Sequence, residues 1–175
     1  MARRRSKRST LVCVTGEDKI AHVERTVRAL VSEIEQLPAE VLYREPEPGE
    51  WPVMSTLAHL EELLPYWARE AADLAKAPGK AVGRRHDDPR RIGAVQQHGH
   101  DSLDTIVPRI RGSLAECLGT LRGIPSEAWS VVGQHPTRGS MSVEQLVDAF
   151  LVDHTEEHTN QIHATLQVLQ TAQRP

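Results

Sequence analysis

Only two cysteines, Cys13 and Cys117, occur among the 175 residues, and they lack the paired spacing of a zinc ribbon or a redox motif. Two are too few for a disulfide framework, and a reducing cytoplasm is the expected compartment. No apolar run approaches the roughly 18 residues that a membrane span needs. The opening MARRRSKRSTLVCVTG follows its basic residues with too little apolar sequence for a signal peptide. Excess positive charge is missing as well: the formal net charge is -3, which argues against a general nucleic-acid binder. Arg3, Arg4, Arg5, Lys7 and Arg8 form a local basic run, read as part of a solvated, frayed tail over residues 1–15. Strand-like alternation is essentially absent. What remains is 39% hydrophobic and 26% charged, the composition of one ordinary globular domain, expected over residues 16–172.

Four segments carry helical periodicity. Ile20, Val23, Val27, Leu30, Val31, Ile34 and Leu37 recur at spacings of three and four, and Thr15 with Asp18 is placed to cap the start. A Pro- and Gly-rich loop, LPAEVLYREPEPGEWP, follows. The second helix opens near Pro52 with the stripe Val53, Leu57, Leu60, Leu64, Trp67, Ala71 and Leu74, and Pro65 inside it predicts a kink or break. After the break APGKAVGRRHDDPRR, a third stripe runs from Leu103 through Ile106, Val107, Ile110, Leu114, Cys117 and Leu118 to Leu121, stopping near Gly123-Ile124-Pro125. A loop containing Trp129 ends at Gly139-Ser140-Met141. Ser142 and Gln145 then make a capping box for a last helix reaching about Gln170. Four amphipathic helices in one small domain predict an all-α four-helix bundle; the long connections permit crossovers and leave the helix order open.

Of nine histidines, His154 and His158 are the most informative. Four residues apart, they share a helix face, and their phase falls within the stripe of Val143, Val147, Phe150 and Leu169. Buried imidazoles need partners for their nitrogens; a metal ion is one, and side chains or carbonyls hydrogen-bonded to core histidines are another. The pair alone leaves both readings open. His163 lies about 180° away on the wheel and is expected outside. His98 and His100 are expected to be solvated, and His22, His86 and His135 to lie at the surface. A third ligand should come from another helix. His59 is the candidate, although it sits about 110° from the centre of its stripe, nearer Thr56 and Leu63, so periodicity does not select it.

Two stretches, REPEPGEWPVMSTLAHLEELLPYW and WSVVGQHPTRGSMSVEQLVDAFLVDHTEEHTNQIHATL, resemble the DinB-like superfamily of metalloenzymes. The resemblance rests on a Pro-rich loop with Trp51 leading to His59-Leu60, and on Trp129 and Gly139 ahead of a helix carrying His154, His158 and Gln161. It spans roughly residues 20 to 170. Pro52 stands where the family usually has serine, and Pro65 interrupts the histidine-bearing helix. The resemblance implies a four-helix bundle, frequently a homodimer, with His59, His154 and His158 around a divalent metal ion such as zinc or nickel. It also implies a small-molecule substrate or co-substrate, with a low-molecular-weight thiol as one case.

Three neutral histidines leave coordination positions for water or substrate, so such an ion can polarise a ligand or lower the pKa of water or a thiol. Glu157 is either a base beside His158 or a solvated carboxylate, and Gln161 is placed to hydrogen-bond a ligand or bound water. Asp153 has no assigned role. The run His154-Thr-Glu-Glu157-His158 also fits the H-x-x-E-H pattern of inverted zinc peptidases. Those need a further acidic ligand downstream, and none of the 17 residues after His158 is acidic. The leading expectation is a metal-dependent transferase or hydrolase. A non-catalytic metal-binding module and a helical interaction protein are the alternatives.

Overall fold

A computed structural model describes residues 16–171. The basic run, Cys13 and the proposed cap Thr15 lie outside the described residues, as do the last four. Four long helical segments make a bundle: α1 (Gly16–Ile34), α3 (Val53–Lys76), α5 (Leu103–Arg122), and a final segment in which α6 (Val143–Val147) runs through one π-helical turn (Asp148–Val152) into α7 (Asp153–Thr171). Two shorter helices, α2 (Ala39–Leu42) and α4 (Pro89–His98), lie in the connections.

The stripes read from sequence are the ones buried. Ile20, Val23, Val27, Leu30, Val31 and Ile34 of α1 and Ile106, Ile110, Leu114, Cys117 and Leu121 of α5 all enter the core. α5 packs on α3 and α1, and α7 packs on α1 and α3, so the order around the bundle is α1, α5, α3, α7. Helices successive in sequence, α1 and α3 or α5 and α7, therefore sit diagonally. Crossing the end of a bundle needs more chain than joining antiparallel neighbours, which accounts for the long first and third connections.

α3 is the hub, since it also meets α4 and α6. It is accordingly buried on almost every side: Met54, Thr56, Ala58, His59 and Leu63 are enclosed as fully as the expected stripe. Pro65 does not break it. The helix continues for eleven residues beyond that proline, because packing around α3 offsets the cost of one lost backbone hydrogen bond.

Two expectations about the connections need correction. Strand structure is present: β1 (Val132–His135) pairs antiparallel with β2 (Gly139–Ser142), and Gly139 takes φ +73° at the turn. The segment after α3 joins this hairpin through Gly79 N–H to Val132 O, Val82 N–H to Gln134 O and Gln134 N–H to Lys80 O. Strands this short carry too little alternation to register as a period. The expected loop after α3 also ends in a helix, α4, whose start is marked by Asp88 accepting from Arg90 N–H and by Pro89 in the first turn. The capping box at Ser142 and Gln145 is formed in both directions.

Because Leu64 is fully enclosed at the hub, Leu64→Ala should lower unfolding stability by about 2–5 kcal/mol. Urea denaturation followed by circular dichroism measures it; a loss below about 1 kcal/mol would mean that α3 is not the packed centre.

Candidate metal centre

His59 sits two turns into α3, and His154 and His158 occupy the first turns of α7, immediately after the π-helical turn. A π turn adds a residue to the helix circumference and shifts the phase of everything after it. The effect is visible at His154, whose side chain is 28% exposed, whereas His158 is buried. The partly exposed imidazole reaches a cavity that His59 also borders, while His158 faces the interior.

The three rings meet. Centroid separations are 4.5 Å for His154 to His158, 4.9 Å for His59 to His158 and 5.8 Å for His59 to His154, all edge to face. One nitrogen from each lies within 4.8 Å of one from the others. Both nitrogens of His59 and Nε2 of His158 are buried without a hydrogen-bond partner. Each such orphan costs roughly 1–3 kcal/mol. One His59 nitrogen carries the ring hydrogen, and the two lone pairs that remain, one from His59 and one from His158, mark a place shaped for something that accepts them. Metal–imidazole bonds are about 2.0–2.1 Å. Nitrogens already this close need only small ring rotations to share one ion, and the residues present therefore fit a metal.

Neighbouring groups orient these rings. His158 Nδ1 lies 3.0 Å from Gln161 Oε1, so the ring donates Nδ1–H to the amide oxygen and leaves the Nε2 lone pair free. Glu157 Oε2 stands 3.5 Å from His154 Nδ1 with 71% of its side chain exposed. Glu62 Oε2 stands 3.9 Å from His59 Nδ1. Glu62 is itself gripped by Arg84 through two 2.6 Å hydrogen bonds. The ring of Trp51 packs edge-on to His59 at 5.9 Å.

Burial, followed by the charges of neighbouring groups, pushes His59 down to about 2 and His154 down to about 4. Burial also lowers His158, against the opposing hydrogen bond to Gln161. All three are neutral at physiological pH, the form in which imidazole binds metals.

Beside the trio lies a cavity of about 290 Å³, reached by His59, His154 and Glu157 and walled by Trp67, Phe150, His135 and several arginines. Trp67 and Phe150 stack at 3.9 Å and 7°, with His135 stacked on Phe150 at 5.0 Å. His135 is buried, contrary to the surface position expected for it. It closes the turn of the hairpin, where Thr137 N–H and Arg138 N–H approach its Nδ1. Gly83 takes φ +80°, and a Cβ there would stand 2.5 Å from the His135 ring, so this approach requires glycine.

The remaining histidines behave largely as expected. His163 faces out and contacts Glu33 at 2.9 Å, His22 contacts Glu156 across the α1–α7 seam, and His86 and His100 are exposed. His98 is half-buried and joins Asp101 and Arg109 in a polar network, rather than being solvated. Cys117 is core, its thiol pushed up to about 12 by burial. Asp153 is exposed. Sequence reasoning missed the cavity's arginines, Arg84, Arg91 and Arg138. The Asp88-Pro89 helix start was the available signal that Arg91 belongs to ordered structure.

A four-helix bundle holding a histidine trio beside a small cavity is the class of protein that fold and site define. The chain belongs to the DinB superfamily, whose family model matches residues 22–162. Its fold is similar to that of YfiT from Bacillus subtilis, described as "a probable metal-dependent hydrolase with an unusual four-helix bundle topology" (TM-score 0.76, 14% identity, 95% of this chain and 94% of that one). It is also similar to a mycothiol-dependent maleylpyruvate isomerase (TM-score 0.60, 11% identity, 88% of this chain), of which it covers 60%. An uncharacterized protein from Clostridium difficile 630 shares the fold as well (TM-score 0.66, 10% identity, 87% of this chain and 96% of that one). No curated protein matches the chain by sequence.

Histidines that are neutral in the fold but titrate near 6.5 when unfolded favour the unfolded state as pH falls. The metal-free chain should therefore hold its full histidine-linked stability above about pH 6.5 and lose it progressively on acidification toward the depressed folded values. Denaturation midpoints between pH 7.5 and 5 test this, a range in which most carboxylates remain ionised. His59→Leu should flatten the dependence; equal midpoints across the range in the wild type would contradict the neutral trio.

Proposed function

We propose that this chain is a metal-dependent enzyme acting on a small molecule, with His59, His154 and His158 as the metal ligands. The supporting observation is that orphaned, neutral imidazole nitrogens converge at the edge of a cavity. A purely structural cluster has no need of that access. Three nitrogen donors suit zinc or nickel, and three protein ligands leave room for a fourth. When bound, a divalent ion at this place supplies Lewis acidity and lowers the pKa of water or a thiol.

The chain's own residues do the rest. Gln161 holds His158 in the tautomer that presents Nε2. The Arg84–Glu62 pair stands behind His59. Trp51 covers the His59 ring, and the Trp67–Phe150 stack narrows the cavity, so water is excluded from part of the wall. Glu157, exposed at the cavity beside His154, is the carboxylate positioned to take up a proton from a substrate or nucleophile. This arrangement supports a hydrolase, the chemistry named for one similar fold, or a transferase using a low-molecular-weight thiol, which rests on the family resemblance; the other similar fold is named as a mycothiol-dependent isomerase. The reading extends to a homodimer, which rests on the family resemblance alone, and to the cytoplasm, which rests on the sequence having only two cysteines, without paired spacing. Among the described residues, no helix is long and apolar enough to cross a membrane.

Native mass spectrometry should find close to one equivalent of divalent metal per chain. Replacing His154 and His158 together by alanine should abolish binding, whereas His163→Ala should leave it intact; retention by the double variant would refute the site. Gln161→Leu should weaken metal affinity by roughly 10–100-fold without unfolding the bundle. Chelation should leave the circular dichroism spectrum helical, since the apolar core supplies most of the burial. A random-coil spectrum after chelation would make the trio a structural cross-link instead of an open centre.

A further inference from the structure

The cavity beside the histidines has an unbalanced charge. Arg84 is neutralised by Glu62, and Arg85 lies 3.5 Å from Asp87. Arg91 and Arg138 line the same cavity and have no carboxylate partner among the described residues. Arg91, in the first turns of α4, spends one N–H on the His86 carbonyl at 3.0 Å and lies 5.4 Å from the Trp51 ring centroid. Arg138, in the hairpin turn, lies 4.8 Å from the centroid of Phe150. Each guanidinium is thus steadied by an aromatic face, with most of its five N–H donors uncommitted.

Two separate connections, the α3–α5 excursion and the β1–β2 turn, bring these cations to one small space, and both charges act on His154. Burial and the nearby Arg84 disfavour the charge on Arg91. Bringing like charges together in a partly desolvated pocket is costly unless an anion completes the set. Nearby carboxylates do not serve: Glu62 is committed to Arg84, Glu70 accepts from Gly83 N–H, and Glu157 pairs with neither Arg91 nor Arg138. A guanidinium presents paired donors matched to carboxylate or phosphate oxygens.

We infer that this cavity takes a small anionic molecule, its carboxylate or phosphate oxygens held by Arg91 and Arg138 beside the histidine trio. This rests on reading the cavity as the place where a small molecule reacts, and it adds the charge class of that molecule. At about 290 Å³, the space is at the lower end of the roughly 300–1,000 Å³ usual for small-molecule sites, which suits a compact acid.

Calorimetric titration of the full-length, chelator-treated chain isolates the arginines from any metal. Inorganic phosphate, succinate and the uncharged succinamide are the probes. Binding of succinate, phosphate or both, with succinamide silent, is the expected result; the anion preferred tells a carboxylic acid from a phosphorylated molecule. Arg91→Gln and Arg138→Gln should each weaken anion binding by roughly tenfold or more, while Arg69→Gln, remote at its Glu116 pair, should not. Circular dichroism shows whether each variant stays folded, and either arginine variant suffices if the other fails. The inference is overturned if neither anion binds, if succinamide binds as well as succinate, or if folded arginine variants bind unchanged. Native mass spectra of the same variants before chelation separate the two readings: metal retained without anion binding removes this inference alone, and anion binding without metal removes the metal centre alone.

Discussion

Packing three neutral imidazoles edge to face, two of them buried, is the constraint on which the site's other features depend. Protonating any of them would place a charge among apolar side chains and beside arginines, so the site excludes cations other than one bound by lone pairs. Gln161, Glu157 and Glu62 each lie against an Nδ1. The result is a polar cluster in a bundle whose remaining interior is almost wholly aliphatic. A cluster of this kind is expensive for folding and is sustained by the large apolar core around it.

The central position of α3 makes that cluster possible. A helix contacted on most of its circumference can bury a residue well off its apolar stripe, and His59 is such a residue. The diagonal arrangement of successive helices places α3 directly against α7, joining histidines nearly a hundred residues apart. The same arrangement demands a long connection before α6, which provides the hairpin and Arg138, while the connection between the neighbouring α3 and α5 provides α4, Arg84 and Arg91. Topology and site are thus coupled through loop length, with function carried on segments held by a rigid scaffold.

The π-helical turn at Asp148–Val152 links these two aspects. Lys19, buried on α1, bonds Asp148 at its start and also contacts Glu144. Burial is the largest single influence on the Lys19 pKa and lowers it, but the hydrogen bonds and charges of Asp148 and Glu144 together outweigh it and leave the pKa raised. The wider turn is therefore tied to a neighbouring helix, and it sets the rotation at which His154 meets the cavity and His158 the interior.

Periodicity in the sequence determined the four helices, the buried stripes of α1 and α5, the Ser142 capping box and the opposite facing of His158 and His163. All of these follow from local rules: a 3.6-residue repeat and the hydrogen-bonding needs of a helix end. The trio as a whole was legible only through resemblance, because His59 lies off its stripe. Tertiary structure alone decided the rest. Whether Pro65 breaks α3, where His135 goes and which cavity arginines lack a carboxylate partner among the described residues depend on what packs alongside, and that information is distributed over segments far apart in the chain. A single helix wheel assumes one buried face. At α3 several neighbours surround the helix, and at the π turn the phase itself changes, so the local rule fails at the places where the site is built.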